Sequence, residues 1–78
     1  MALDVSYTAH AVRRMRQRLV LPDDVVAVFT NPAKVEAGAE RGTWVASGFS
    51  RNRPLGVVYR QPERARRVVV TAYWTDEA

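Results

Sequence analysis

The stretch Val25-Val26-Ala27-Val28-Phe29-Thr30-Asn31-Pro32-Ala33-Lys34-Val35-Glu36-Ala37 decides the fold, because the spacing of its apolar residues changes inside it. Before Asn31 the valines and Phe29 follow a helical period; after Pro32 apolar and polar residues alternate with the period of two that a strand imposes. Proline disfavours helical backbone at the residue before it, so the helix is predicted to stop at Asn31-Pro32. Helices come first in this chain and strands second, the order of an α+β domain.

Upstream, Pro22-Asp23-Asp24 opens that second helix, with proline in the first turn and two carboxylates at the positive end of the helix dipole. A helix start accounts for both acids, and neither is given a catalytic role. Earlier still, Thr8 fits the N-cap of a first helix running from about Ala9 to Leu19, preceded by a short edge strand at Leu3-Asp4-Val5. On that helix Ala11, Val12, Met15 and Leu19 cluster on one side. His10, Arg13, Arg14 and Gln17 cluster on the other, with Arg18 at the border.

Downstream, Lys34 to Ala37 is a weak strand candidate. Thr43 to Phe49, Leu55 to Arg60 and Arg67 to Thr75 are stronger ones, separated by Arg51-Asn52-Arg53-Pro54 and Gln61-Pro62-Glu63-Arg64. Connections this short pair neighbouring strands antiparallel. The expected fold is two N-terminal helices packed on one face of a three- to four-stranded antiparallel sheet, one domain over residues 1–78. Alternation in the last strand assigns Val68, Val70, Ala72 and Trp74 to the core. It assigns Arg67, Val69, Thr71, Tyr73 and Thr75 to the opposite surface. Trp44 and Trp74 are both expected in the core, and the tail Asp76-Glu77-Ala78 is expected to fray.

Composition narrows the function. A hydrophobic fraction of 47% argues against disorder. The chain has no cysteine and one histidine, which excludes disulfides, a thiol nucleophile, thiolate-bound zinc and a multi-histidine metal site. No metal or cofactor is expected. A basic region followed by an apolar run is absent, as is an apolar stretch near the ~20 residues that span a bilayer, so a cytoplasmic protein without a membrane partner is expected. The net charge is +4 and eleven of the twelve basic residues are arginine, Lys34 being the exception. A GC-rich coding sequence explains that ratio but not the placement. Arg51, Arg53 and Arg60 flank one hairpin and Arg64, Arg66 and Arg67 the next, two basic clusters able to follow a nucleic-acid backbone.

The pattern Tyr7-Thr8-x-His10-Ala11-x-x-Arg14-Met15-x-x-Arg18, the hydrophobic helix ending at Asn31-Pro32 and the closing strand Val69-Val70-Thr71-Ala72-Tyr73 resemble a widespread bacterial family of unknown function. That family is in turn similar to the RelE/ParE-like small toxins. Over nearly the whole chain, the resemblance implies a RelE-like domain with a site at His10, Arg14, Arg18 and Thr71, and with Tyr73 beside them. It also implies RNA as a partner, on the ribosome for RelE-like members, and a cognate antitoxin-like protein. Where the family usually has glycine, isoleucine and a polar N-cap after the second motif arginine, this chain has Leu19, Val20 and Leu21, so its inter-helix turn is built differently.

Metal-independent RNA cleavage needs a base for the 2′-hydroxyl, an acid for the leaving oxygen and positive charge for the transition state. The helix dipole and the charges of Arg13 and Arg14 favour a neutral imidazole, so His10 is expected to be neutral at pH 7 and to act as general base. Arg14 is expected to grip the scissile phosphate through its guanidinium fork, Arg18 to make a second phosphate contact, and Thr71 or Tyr73 to orient phosphate or base. Two other classes stay open. One is a non-catalytic nucleic-acid or ribosome-binding module using Arg13, Arg18, Arg51, Arg53 and Arg60. The other is a protein-interaction module, ParE-like gyrase inhibition included.

Overall fold

The computed structural model describes residues 3–76. In chain order they form β1 (Asp4–Tyr7), α1 (Ala9–Arg18), α2 (Pro22–Thr30), β2 (Lys34–Ala37), β3 (Trp44–Ser50), β4 (Arg53–Glu63) and β5 (Arg66–Trp74). The class is α+β as expected, but the sheet is larger and mixed. Its five strands run in the order β1-β5-β4-β3-β2, and β1 lies parallel to β5, with Tyr7 opposite Val69. The remaining neighbours are antiparallel. Parallel partners need a long crossover; here everything between β1 and β5 supplies it, which is why reasoning from adjacent segments does not find the pair.

Local chemistry sets the helix ends. The Thr8 hydroxyl accepts from the Ala11 amide at 3.0 Å and caps α1. That helix stops at Leu19, which takes a left-handed conformation (φ 57°). Leucine pays a steric penalty there that glycine would not. Pro22 opens α2, and the Asp24 carboxylate accepts from the Leu21 amide at 2.8 Å, satisfying one otherwise unpaired N–H of the helix start.

The two-residue turn Arg51-Asn52 joins β3 to β4 with both residues at positive φ, the geometry a right-twisted hairpin favours. The predicted loop 51–54 is thereby shortened, and Pro54 sits within β4 opposite Phe49. Likewise Gln61 to Glu63 extend β4 instead of forming a loop.

One face of the sheet is packed against the helices. Leu55, Val57, Tyr59, Val69, Ala72 and Trp74 meet Ala11, Met15, Val20, Val25 and Val28 there. Phe29 meets Tyr59 edge to face, centroids 5.0 Å apart. Three assignments change. Val12 and Leu19, grouped with the apolar side of the first helix, are exposed, because only Ala11 and Met15 face the sheet squarely. Trp44 is 43% exposed instead of buried, since its lateral neighbour toward the sheet edge is only Ala37. In β5, Tyr59 faces Val69 but Val58 faces Thr71, so Val70 is the extra residue of a β-bulge. The bulge reverses the alternation. Val69 is buried in place of Val68 and Val70, while Ala72 and Trp74 keep their expected places.

Candidate functional site

The bulge also governs where α1 begins. The Thr8 amide donates to the Val69 carbonyl at 3.0 Å and the Thr8 hydroxyl to the Val70 carbonyl at 3.4 Å. The first turn of α1, with His10 on it, is therefore anchored beside Val70 and Thr71. The far end of α1 is tied to the same strand. Arg18 Nη1 donates to the Ala72 carbonyl at 3.0 Å and to Thr71 Oγ1 at 3.4 Å, and Trp74 Nε1 donates to the Arg18 carbonyl at 2.7 Å. The helix thus lies along β5 past the end of β1, and its polar margin reaches the sheet face that the helices leave uncovered.

On that open face lies a cleft of about 370 Å³, lined among others by His10, Glu40, Thr43, Val58, Thr71 and Tyr73. The start of α1 and the loop from β2 to β3 contribute to its lining, together with Val45 and Val58 of the sheet. Within the loop, buried Thr43 donates its hydroxyl to the Glu40 carbonyl at 2.6 Å. A side chain at Gly38 would collide with Thr43, so glycine is required for the loop to fold this way. Glu40 pairs with Arg60 at 3.4 Å, and Arg60 itself does not line the cleft. The outer end of the Tyr73 ring lies over Gly56 of β4, where an added Cβ would sit 2.9 Å from Tyr73 Cζ. Only a glycine at that cross-strand position lets the phenol settle onto the sheet.

Of the residues singled out from sequence, His10, Thr71 and Tyr73 share this cleft, and Arg18 touches Thr71 directly. Arg14 does not line it. It is exposed, one helical turn from His10 and one from Arg18 on the same ridge, with Nη1 donating to Gln17 Oε1 at 3.3 Å. Arg13 is exposed and has no hydrogen-bond or ion-pair partner among the described residues. The hairpin arginines are engaged elsewhere. Arg51 grips Asp24 at 2.7 Å, Arg53 pairs with Asp76 at 3.0 Å and stacks 4.2 Å over the Trp74 ring, and Arg60 holds Glu40. Asp76, expected to fray, is ordered by that pairing; the rest of the tail, Glu77 and Ala78, lies outside the described residues.

Asp24, read from sequence as a helix start, is more than that. Its side chain is 3% exposed and also accepts from the Ser50 hydroxyl at 2.6 Å. Burial alone would raise its pKa. The hydrogen bonds from Arg51, Ser50 and the Leu21 amide, with the Arg51 charge, outweigh burial and hold it below the ordinary value. A smaller hollow of about 220 Å³, lined by Tyr7, Val12, Met15, Arg16, Val20 and Pro22, carries no acid–base pair. Burial, and then the nearby charge of Asp23, raise the Tyr7 hydroxyl above its usual pKa.

Sequence reasoning did not single out Glu40, Thr43 or Gly56. The two glycines at 38 and 42 mark the loop that carries Glu40. Gly56, inside a valine-rich strand, is the kind of glycine that signals a close approach. Among the described residues no group of three or more His, Asp or Glu side chains is placed to hold a metal ion, and no helix is long and apolar enough to cross a membrane.

No curated protein and no solved structure matches this chain. A family model described as a domain of unknown function (DUF4258) matches residues 7–74, from the last residue of β1 through the end of β5 and so across every named side chain of the cleft; the chain belongs to that family.

Proposed function

We propose that the open-face cleft is a metal-independent RNA-cleaving site with His10 as its general base. The observation that carries this reading is the meeting of His10 with Thr71 and Tyr73 in one cleft, at the edge of a basic helix. In the proposed step His10 takes the proton from a ribose 2′-hydroxyl. The 2′-oxygen forms its bond to phosphorus, and the bond from phosphorus to the 5′-oxygen breaks. The products are a 2′,3′-cyclic phosphate and a 5′-hydroxyl whose proton comes from the Tyr73 phenol, later replaced from water. Arg14 steadies the phosphate from the helix ridge, and Arg18 fixes the Thr71 hydroxyl that faces it. On this reading the domain is RelE-like in its chemistry, with RNA as substrate, and a ribosome or an antitoxin-like protein would join it as a partner.

A second reading, a binding module without catalysis, draws on the same exposed Arg13 and Arg14 and on the open sheet face. The two part on one residue. Purified protein is incubated with a mixed-sequence RNA in chelator, alone and with ribosomes, and the new ends are mapped. Cleavage leaving cyclic phosphates, reduced about a hundred- to ten-thousand-fold in His10→Ala, supports the nuclease. RNA retained without new ends, and retained equally by His10→Ala but lost in Arg14→Glu, supports the binding module.

A further inference from the structure

The edge strand β2 is short, and all four of its residues are exposed. Its sequence is antisymmetric in charge about Val35, with Lys34 on one side and Glu36 on the other. Both charged side chains point to the open face, opposite Ser47 and Val45, whereas Val35 points to the helix side opposite buried Ala46. Val35 is 49% exposed and Trp44, its diagonal neighbour, 43%. The Gly38 amide donates to the Thr43 carbonyl at 2.9 Å. Because bonding alternates along an antiparallel ladder, Glu36 and Lys34 also bond toward β3, and Val35 and Ala37 turn their N–H and C=O groups outward.

From these features we infer that β2 is a self-recognition edge, and that a second copy of this chain pairs with it antiparallel about Val35. In that register Lys34 of each copy stands opposite Glu36 of the other, both on the open face. Val35 meets Val35 across the two-fold axis and exchanges two backbone hydrogen bonds with it. A lysine in an edge strand ordinarily deters pairing. Here the glutamate two residues on cancels the deterrent for one partner in one register, and a one-residue slip would bring valine beside charge. The two sheets become one, with both clefts on the same side and their β5 walls seven strand spacings apart, roughly 34 Å. The contact is small, so the association is weak, with a dissociation constant on the order of 0.1 mM.

The test is sedimentation velocity of the full chain from 0.01 to about 1 mM, without nucleic acid. Native protein is expected to shift from monomer to dimer. Lys34→Glu or Glu36→Lys alone sets like charges face to face twice per dimer and is expected to weaken association about ten-fold or more. Lys34 and Glu36 also pair within one strand at 3.5 Å. The double variant Lys34→Glu/Glu36→Lys restores both that pair and the complementarity between copies and is expected to regain the native curve. Unchanged urea midpoints in the single variants separate lost association from a disturbed strand. Since the chain has no cysteine, Val35→Cys adds a single thiol. Its Cα atoms would stand ~5.5 Å apart across the axis, within disulfide reach, and oxidation is expected to give a covalent dimer. Native protein that stays monomeric at about 1 mM overturns the proposal. So does a dimer that ignores both charge reversals and leaves Val35→Cys uncrosslinked.

Discussion

Arg18 and Thr71 are joined across 53 residues of sequence by a hydrogen bond from Nη1 to Oγ1 at 3.4 Å, and the same nitrogen donates to the Ala72 carbonyl at 3.0 Å. A residue expected to contact phosphate thus also fastens the last turn of α1 to the strand beside the cleft. Replacing it by alanine leaves the Ala72 carbonyl without this donor and frees Thr71. Arg18→Ala is expected to lower stability by about 1–2 kcal/mol, read as a shifted urea midpoint at unchanged slope. Under the nuclease reading it also lowers cleavage.

His10 should behave in the opposite way. It is exposed and no hydrogen bond holds it among the described residues. His10→Ala is expected to keep its unfolding free energy, read from urea melts, within about 0.5 kcal/mol of native while losing cleavage. A His10→Ala protein that unfolds early would assign the histidine to the fold and not to chemistry.

Arginines that look alike in sequence are expected to separate by salt titration of RNA binding. Arg14→Ala removes an exposed cation and should reduce the slope of log affinity against log salt by about one. Arg51→Ala should leave that slope nearly unchanged and instead destabilise the fold, since Arg51 holds the Asp24 carboxylate at 2.7 Å and the Leu19 carbonyl at 3.1 Å.

Stability should depend on acid through Asp24. Its folded pKa lies below the ordinary 3.8, so the unfolded chain binds the proton more readily. The contribution of this carboxylate is therefore complete above that value and is lost as pH falls through the lower folded value. Asp76, lowered by its hydrogen bonds from Arg53, acts in the same direction. Urea midpoints between pH 6 and pH 2 should fall below about pH 4, and Asp24→Asn should flatten part of that fall. Asp24→Ala at neutral pH is expected to cost about 2–3 kcal/mol, because Ser50 and Arg51 lose their acceptor.

Gly56→Ala should destabilise by about 1–2 kcal/mol by driving the Tyr73 ring off the sheet. In the Tyr73→Ala background the same change should cost much less, and a double-mutant cycle measures the difference. Additive effects would mean that the ring does not rest on Gly56.

The sequence carried the helices and the class of the fold. Thr8 and Pro22 announce helix starts through capping chemistry, and Asn31-Pro32 announces a stop, because these signals act within a few residues. What it did not carry is non-local or parity-dependent. The pairing of β1 with β5 leaves no mark in either strand. Val68-Val69-Val70 is uniformly apolar, so nothing in it shows which residue is the extra one of the bulge, and simple alternation buries the wrong pair. Arg51-Asn52 lacks the glycine that usually marks so tight a turn. Of the residues lining the candidate cleft, the motif and the closing strand point to His10, Thr71 and Tyr73. Glu40 and Gly56 emerge only when the sheet places them.

The meeting of His10 with Thr71 has a consequence in time. In the chain α1 precedes β5, so during synthesis neither the wall at Thr71 nor the anchors for Thr8 and Arg18 exist until β5 has been made. A chain that stops short of β5 carries the histidine but not the pocket, so the cleft reports the completed sheet and not the helix alone.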